Sequence, residues 1–275
     1  MAVNAATASA DRRRGPLRRH GRSQAPATLI PPIRGLLPLA VVLGLWEVTG
    51  SQGSPYLPRP STWPAALGDL WTAGSLLPAA LATITTFFLA LATAIVLGAL
   101  LGLLAGGVRT IDRALSPTLE FARAMPPAAI IPIATLLIGY NDRMKVAVVT
   151  SAAIWPILLN SRAALRRVDP VLLETARSLH LTTLQRVGKI TLPALVPGVF
   201  LGARIGGPIA LAVTLLVEFL TQVDGVGGLI ATAQRSYLSD HVWGLILLAG
   251  LFSLLVGAVI AAVERYALRH RPKAS

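Results

Sequence analysis

The sequence predicts an all-α integral membrane protein of six transmembrane helices, with a polar cytoplasmic loop that carries a short helix of its own. Three observations predict it. Of 275 residues, 54% are hydrophobic and only 13% charged, a balance that ordinary soluble domains do not have. The apolar residues gather into runs long enough to cross a bilayer. Basic residues fall almost wholly into alternate connecting segments, the signature of a topology set by cytoplasmic Lys and Arg. The chain has no cysteine, which excludes disulfides and thiolate metal sites. A net charge of +13 raises the question of nucleic acid, but charge beside apolar runs is explained by topology, and no nucleic-acid partner is expected.

Residues 1–33 are Ala, Arg, Ser and Pro without aliphatic periodicity and read as a disordered basic cytoplasmic tail. Arg12 to Arg14, Arg18, Arg19 and Arg22 also suit a signal-sequence n-region with Leu36 to Val48 as its core. No convincing small-x-small cleavage site follows, which favours an uncleaved first span. Residues 34–76 hold that span, Gly35 to Gly50, and an extracytoplasmic loop. A core at 77–265 holds Leu81 to Gly106, Pro126 to Tyr140, Val146 to Leu165, Leu195 to Thr214 with an extension to Leu220 left open, and Val242 to Val263. Its polar loop is 166–193, and 266–275 form a second basic cytoplasmic tail. The first and third spans are short. Pro126, Pro127 and Pro132 kink the third or leave it re-entrant.

A five-span reading puts the two termini on opposite sides, and charge decides against it. With six spans, 20 of the 25 Lys and Arg residues share one side with both termini, the other side holds Arg59, Arg143, Lys145 and Arg235, and Arg204 lies inside the fifth span. Two glycine seams, Gly98-Gly102-Gly106 and Gly198-Gly202-Gly206, repeat every fourth residue and let helix backbones approach closely. Packing within the chain is the first reading of them. A dimer seam or a moving interface is the second.

The loop between the fourth and fifth spans is the most informative stretch. Asp169 is placed to cap a helix that Pro170 opens, with Leu172, Ala176 and Leu179 on one stripe and Glu174, Arg177 and Gln185 outside it. Leu192 and Pro193 are placed to end the loop and set the angle of the fifth span. Glu174-Thr175-Ala176, followed by Ile190, Leu192 and Pro193, resembles the loop of ATP-binding-cassette importer permeases. Thr175 stands where that family has Ala, and His180 where it usually has a Gly that permits a positive φ. The resemblance extends from about Leu57 to Arg269 through LPRPS (57–61), FARAMPPAAIIPI (121–133) and WPILLNSRAALRRVDP (155–170). The fuller pattern is similar to the permeases of nitrate, sulfonate, taurine and related small anions or heterocycles.

The resemblance implies a type I importer fold in the bacterial inner membrane, with both termini cytoplasmic and the loop helix acting as a coupling helix. It implies that Glu174, Thr175, Ala176, Leu179, His180, Leu192 and Pro193 lie at the contact with the ATPase. The implied partners are two copies of a cytoplasmic ATP-binding subunit, a second permease copy, an extracytoplasmic solute-binding protein and the surrounding lipid. The chain itself contains no phosphate-cradling Gly-rich loop, and its histidines are too scattered for a metal motif. It is expected to be no enzyme, with no metal and no cofactor.

Arg204, Glu218 and Gln222 are the pathway candidates, because ionisable groups within spans are costly to keep there. At 100° per residue Arg204 and Glu218 fall within about 40° of each other, with Gly206, Gly207 and Pro208 between them as a potential hinge. An ion-gradient-driven carrier would use these charges but leave the 169–193 loop without a purpose. A membrane assembly scaffold would use the loop but need no pathway.

Overall fold

A computed structural model describes residues 33–107 and 109–268. The tail arginines, His20 and His270 lie outside the described residues. Regular structure among the described residues is entirely helical: α1 (Ile33–Thr49), α2 (Trp63–Thr72), α3 (Leu76–Gly107), α4 (Arg109–Ala124), α5 (Pro127–Ile138), α6 (Asp142–Arg166), α7 (Pro170–Ser178), α8 (Thr183–Arg186), α9 (Leu192–Thr221), α10 (Val226–Arg235) and α11 (Ser239–Leu268). The chain divides into two units inside α1, between Leu45 and Trp46. The described part of the first unit is one apolar helical stretch.

Four helices, α3, α6, α9 and α11, are long and apolar enough to cross a membrane. They match four of the predicted spans and extend each at both ends. The predicted third span is different. Its helix, α5, has 12 residues, about 18 Å of rise against a hydrocarbon layer of about 30 Å. It meets α4 at an angle of 91°, and only if that bent pair is one span does the number of spans reach five. The break follows from the two prolines. Pro126 is extended (ψ 130°) and Pro127 sits at the opening of α5, since a proline disfavours helix in the residue before it.

The second unit is built around α6. Its neighbours α3 and α9 grip it from two sides. Gly98, Gly102 and Gly106 of α3 face Ile157, Ser161 and Arg162, while Gly198, Gly202 and Gly206 of α9 face Asn160, Ile157 and Ala153. A Cβ on Gly202 would stand 2.5 Å from the Ile157 Cα. The two glycine seams are therefore the walls of one slot inside the chain, as the first reading of them had it. Phe87, Met144, Val149, Ile157, Ala210 and Val217 complete this core. By contrast few residues of α11 are fully buried, Leu245 and Val256 among them, and the helix shows apolar side chains such as Leu251, Leu254, Leu255 and Val259, as a lipid-facing helix does.

At the end of the bundle away from the 166–193 loop, the LPRPS segment folds back on α1. The Glu47 carboxylate accepts from Ser61 N (3.0 Å) and Ser61 Oγ (2.8 Å), and Arg59 Nε donates to the Gly50 carbonyl (3.1 Å). Trp46, Trp63 and Trp243 cluster there, with ring centroids 4.6 to 5.8 Å apart. The cluster ties the end of α1 and the start of α2 to the start of α11.

Candidate functional site

The loop between α6 and α9 folds as its sequence predicts at its start. Asp169 Oδ1 accepts from Val171 N (2.8 Å), Pro170 takes the first turn, and α7 follows. The far end of α7 closes in a Schellman turn: Leu181 N donates to Ala176 O (3.0 Å) and His180 N to Arg177 O (2.9 Å). That turn needs a left-handed residue, and His180 supplies it with φ 51°. The family position favours Gly for this reason, and His180 holds the same backbone at a cost of about 1 kcal/mol. Thr182 and Gln185 then form a reciprocal capping box that starts α8.

The expected stripe of Leu172, Ala176 and Leu179 does not share one environment. Ala176 is turned inward and 3% exposed, while Leu172 and Leu179 point outward with Val171 and Leu184. Glu174 and Thr175 are exposed on the same short helix. Leu192 and Pro193 open α9, but they do not stop the loop, because α8 and a π turn at Val187–Thr191 lead straight into α9. The loop is thus a capped surface helix that shows leucines around a carboxylate. Beside it lies a cavity of about 710 Å³ whose wall includes Asp112, Arg113, Arg166, Glu174 and Arg177.

The pathway candidates separate. Arg204 is exposed on α9 beside the exposed Leu201, Ile205 and Ile209, and no ion pair to it is found among the described residues. Glu218 is fully buried: Thr83 Oγ1 donates to its Oε2 (2.8 Å), and so does Gly227 N (3.0 Å). Val226 N in turn donates to Thr83 Oγ1 (2.8 Å). Gln222 is exposed and ends α9 in a left-handed conformation, φ 56°. The expectation that Arg204 and Glu218 face one aqueous path does not hold in this conformation. The chain reverses after Gln222, and α10 folds back over the Glu218 face of α9.

Sequence reasoning missed α10 and the anchor beneath it. Gly225, at φ 152°, and Gly227 leave room for the Glu218 carboxylate, and a Cβ on Gly225 would fall 2.1 Å from Glu218 Cδ. Lys145, 1% exposed, donates to the Asp224 carbonyl (2.9 Å) and pairs with Asp142 (2.8 Å), holding the same turn to α6. The clustering of Glu218, Asp224, Gly225 and Gly227 was the available signal. The Gly206-Gly207-Pro208 stretch lies within the continuous helix α9.

Residues 94–270 match the model of the binding-protein-dependent transport system inner membrane component. The chain belongs to that family. It is similar to a putative aliphatic sulfonates transport permease protein of Bacillus subtilis, 28% identical over 87% of this chain and 88% of the relative. It is similar also to a bicarbonate transport system permease protein of Synechococcus elongatus (30%, covering 86% and 90%) and a nitrate import permease protein of Synechocystis (29%, covering 84% and 88%). The chain is therefore the membrane-embedded permease of an ATP-driven, binding-protein-dependent importer, and ATP hydrolysis lies on a separate subunit. The ion-driven carrier and the assembly scaffold fall away. A multi-pass inner-membrane protein that works with an ATPase and a solute-binding protein is what family and helices together establish.

Proposed function

We propose that two copies of this chain form the pathway for a small anion of the sulfonate, nitrate or bicarbonate kind. Each copy carries one ATPase on its α6–α9 loop, in the cytoplasm, and a solute-binding protein delivers the anion to the opposite face. Both termini are cytoplasmic, which the distribution of Lys and Arg supports and which six crossings satisfy if α1 and the α4–α5 pair each count as one. The domain plan follows the sequence: tails at 1–33 and 266–275, a first span and loop at 34–76, and the permease core at 77–265 with its coupling loop at 166–193.

The observation that carries the coupling role is α7 itself. It is a nine-residue surface helix, capped at one end and closed at the other, that presents leucines where the neighbouring loop is basic and no lipid is expected. An exposed apolar face of this kind on a polar loop calls for a protein partner. Glu174 gives the partner a carboxylate to pair with, Thr175, Leu179 and His180 border it, and Ala176 seats the helix. Leu192 and Pro193 pass the movement directly into α9. Arg204, exposed among the apolar side chains of Leu201, Ile205 and Ile209 on α9, supports an anionic solute, since a cation in a span is tolerated where something negative meets it. Gln222 stands at the outer end of the same helix.

The test is a mild-detergent pull-down of the wild type and Glu174→Arg, with bound proteins identified by mass. Capture of an ATPase by the wild type and loss of it by the variant is the expected result. Equal capture by both contradicts docking through α7.

A further inference from the structure

The role assigned to the loop leaves α4 unused, although it is the most strongly amphipathic of the long helices and meets α5 at a right angle. One end of α4 is firmly held. Asp112 is 2% exposed; its Oδ1 accepts from Arg162 Nε and its Oδ2 from Arg166 Nη2. Arg162 also donates to Ser116 Oγ (3.1 Å), one turn further along α4. Both arginines lie in the last turns of α6, and Arg166 is its final residue, just before Asp169 caps α7. Gly106 of α3 lets the Arg162 backbone come close, so this end of α6 is packed on two sides.

One buried carboxylate therefore fastens α4 to the stalk of the docking loop. The Asp112–Arg162 pair is hard to part, because both side chains are largely buried and would be left charged and poorly solvated, while Arg166 adds a half-exposed second contact. Beyond the elbow at Met125 and Pro126, α5 lies against α6 and α9 in the core. This gives the FARAMPPAAIIPI motif a mechanical place: it is the last turn of α4, the elbow and the first half of α5.

We propose that α4 is a lever on the docking loop. Asp112 clasps it to Arg162 and Arg166, so that displacement of α7 by the ATPase is carried along α4 and around the elbow into α5. The lever rests on the docking role proposed for α7. Asp112 is a positioning residue: it joins two elements and touches no solute.

The test uses the complete transporter, with ATPase and binding protein, in proteoliposomes. ATPase capture by the wild type is scored first, and its failure counts against docking rather than against the clasp. Asp112→Asn keeps the side-chain shape and removes the charge. The variant is expected to capture ATPase and hydrolyse ATP, while uptake per ATP falls about tenfold, as coupling between distant sites commonly does. The exchange Asp112→Arg with Arg162→Asp is expected to restore it. A pair with a structural role only would lower hydrolysis and uptake together, leaving their ratio unchanged. That result, or normal uptake, overturns the lever. Should Asp112→Asn not assemble, spin-label distances in the otherwise native complex decide, since the chain has no cysteine to remove. Labels go at Phe121→Cys on α4, Leu184→Cys on the loop and Trp71→Cys on α2, all at exposed positions. A constant 121–184 distance alongside a changing 71–184 distance on ATP binding supports the lever, and any other combination overturns it.

Discussion

Gly202→Ala adds a single methyl group where α9 and α6 come close, as they also do at Gly198. Its Cβ would stand 2.5 Å from the Ile157 Cα and 2.8 Å from the Pro156 carbonyl oxygen. Carbon contacts settle at about 3.5 to 4.0 Å, so α9 must withdraw by about 1 Å. The obstacle is backbone and cannot rotate away, and the withdrawal also loosens the contacts at Gly198 and Gly206. Overpacking of this kind costs about 1–3 kcal/mol, against a helix-propensity gain of about 1 kcal/mol for replacing Gly. With a backbone obstacle the net is about 2 kcal/mol of destabilisation. Gly68→Ala on α2 is the matched control: nothing lies within 4 Å of its Cβ, and the propensity gain of about 1 kcal/mol stands alone. Thermal unfolding in mild detergent, followed by the fluorescence of the Trp46-Trp63-Trp243 cluster, should show opposite shifts separated by about 6 °C or more. A Gly202→Ala protein that melts at or above the wild type would refute the claim that close backbone approach holds α6 in its slot.

Other consequences can be measured in the same preparation. His180→Gly relieves the left-handed histidine and should stabilise the α6–α9 loop by about 1 kcal/mol, read as slower proteolysis within 170–186; faster cleavage contradicts the turn. Thr83→Val removes the donor to Glu218 and the acceptor of Val226 N, at a cost of about 1–3 kcal/mol. It should expose a cysteine placed at Ala231, which is buried on α10, to water-soluble maleimide; unchanged labelling means α10 is held by other contacts. Arg204→Gln should leave ATPase capture intact and reduce anion uptake about tenfold, whereas unchanged uptake removes Arg204 from the pathway.

What the sequence made legible was whatever a local pattern decides. Long apolar runs marked α3, α6, α9 and α11, and the Asp169-Pro170 pair marked the start of α7, because capping and bilayer span are settled within one segment. The third span was legible as short and broken at its prolines, and α5 is a 12-residue helix divided from α4 at Pro126 and Pro127; the 91° angle of that break is set by packing that no local pattern records. Glu218 misled for a physical reason. Helical phase placed it near Arg204, but its burial is set by a chain reversal that depends on Gln222 and Gly225 adopting positive φ. A ten-residue α10 that opens on two glycines gives no periodicity from which that cover could be foreseen. His180 became legible only beside the Gly that the family uses, and Asp112 not at all, since its partners lie about 50 residues away on α6.

The most direct test of the central claim is uptake by proteoliposomes that contain this chain and its ATPase, with binding protein and a labelled sulfonate, nitrate or bicarbonate outside and ATP inside. Uptake of one of these anions that requires both ATP and the binding protein, and survives collapse of all ion gradients, is the predicted result. Uptake that persists without the ATPase and vanishes when the gradients are collapsed would contradict it.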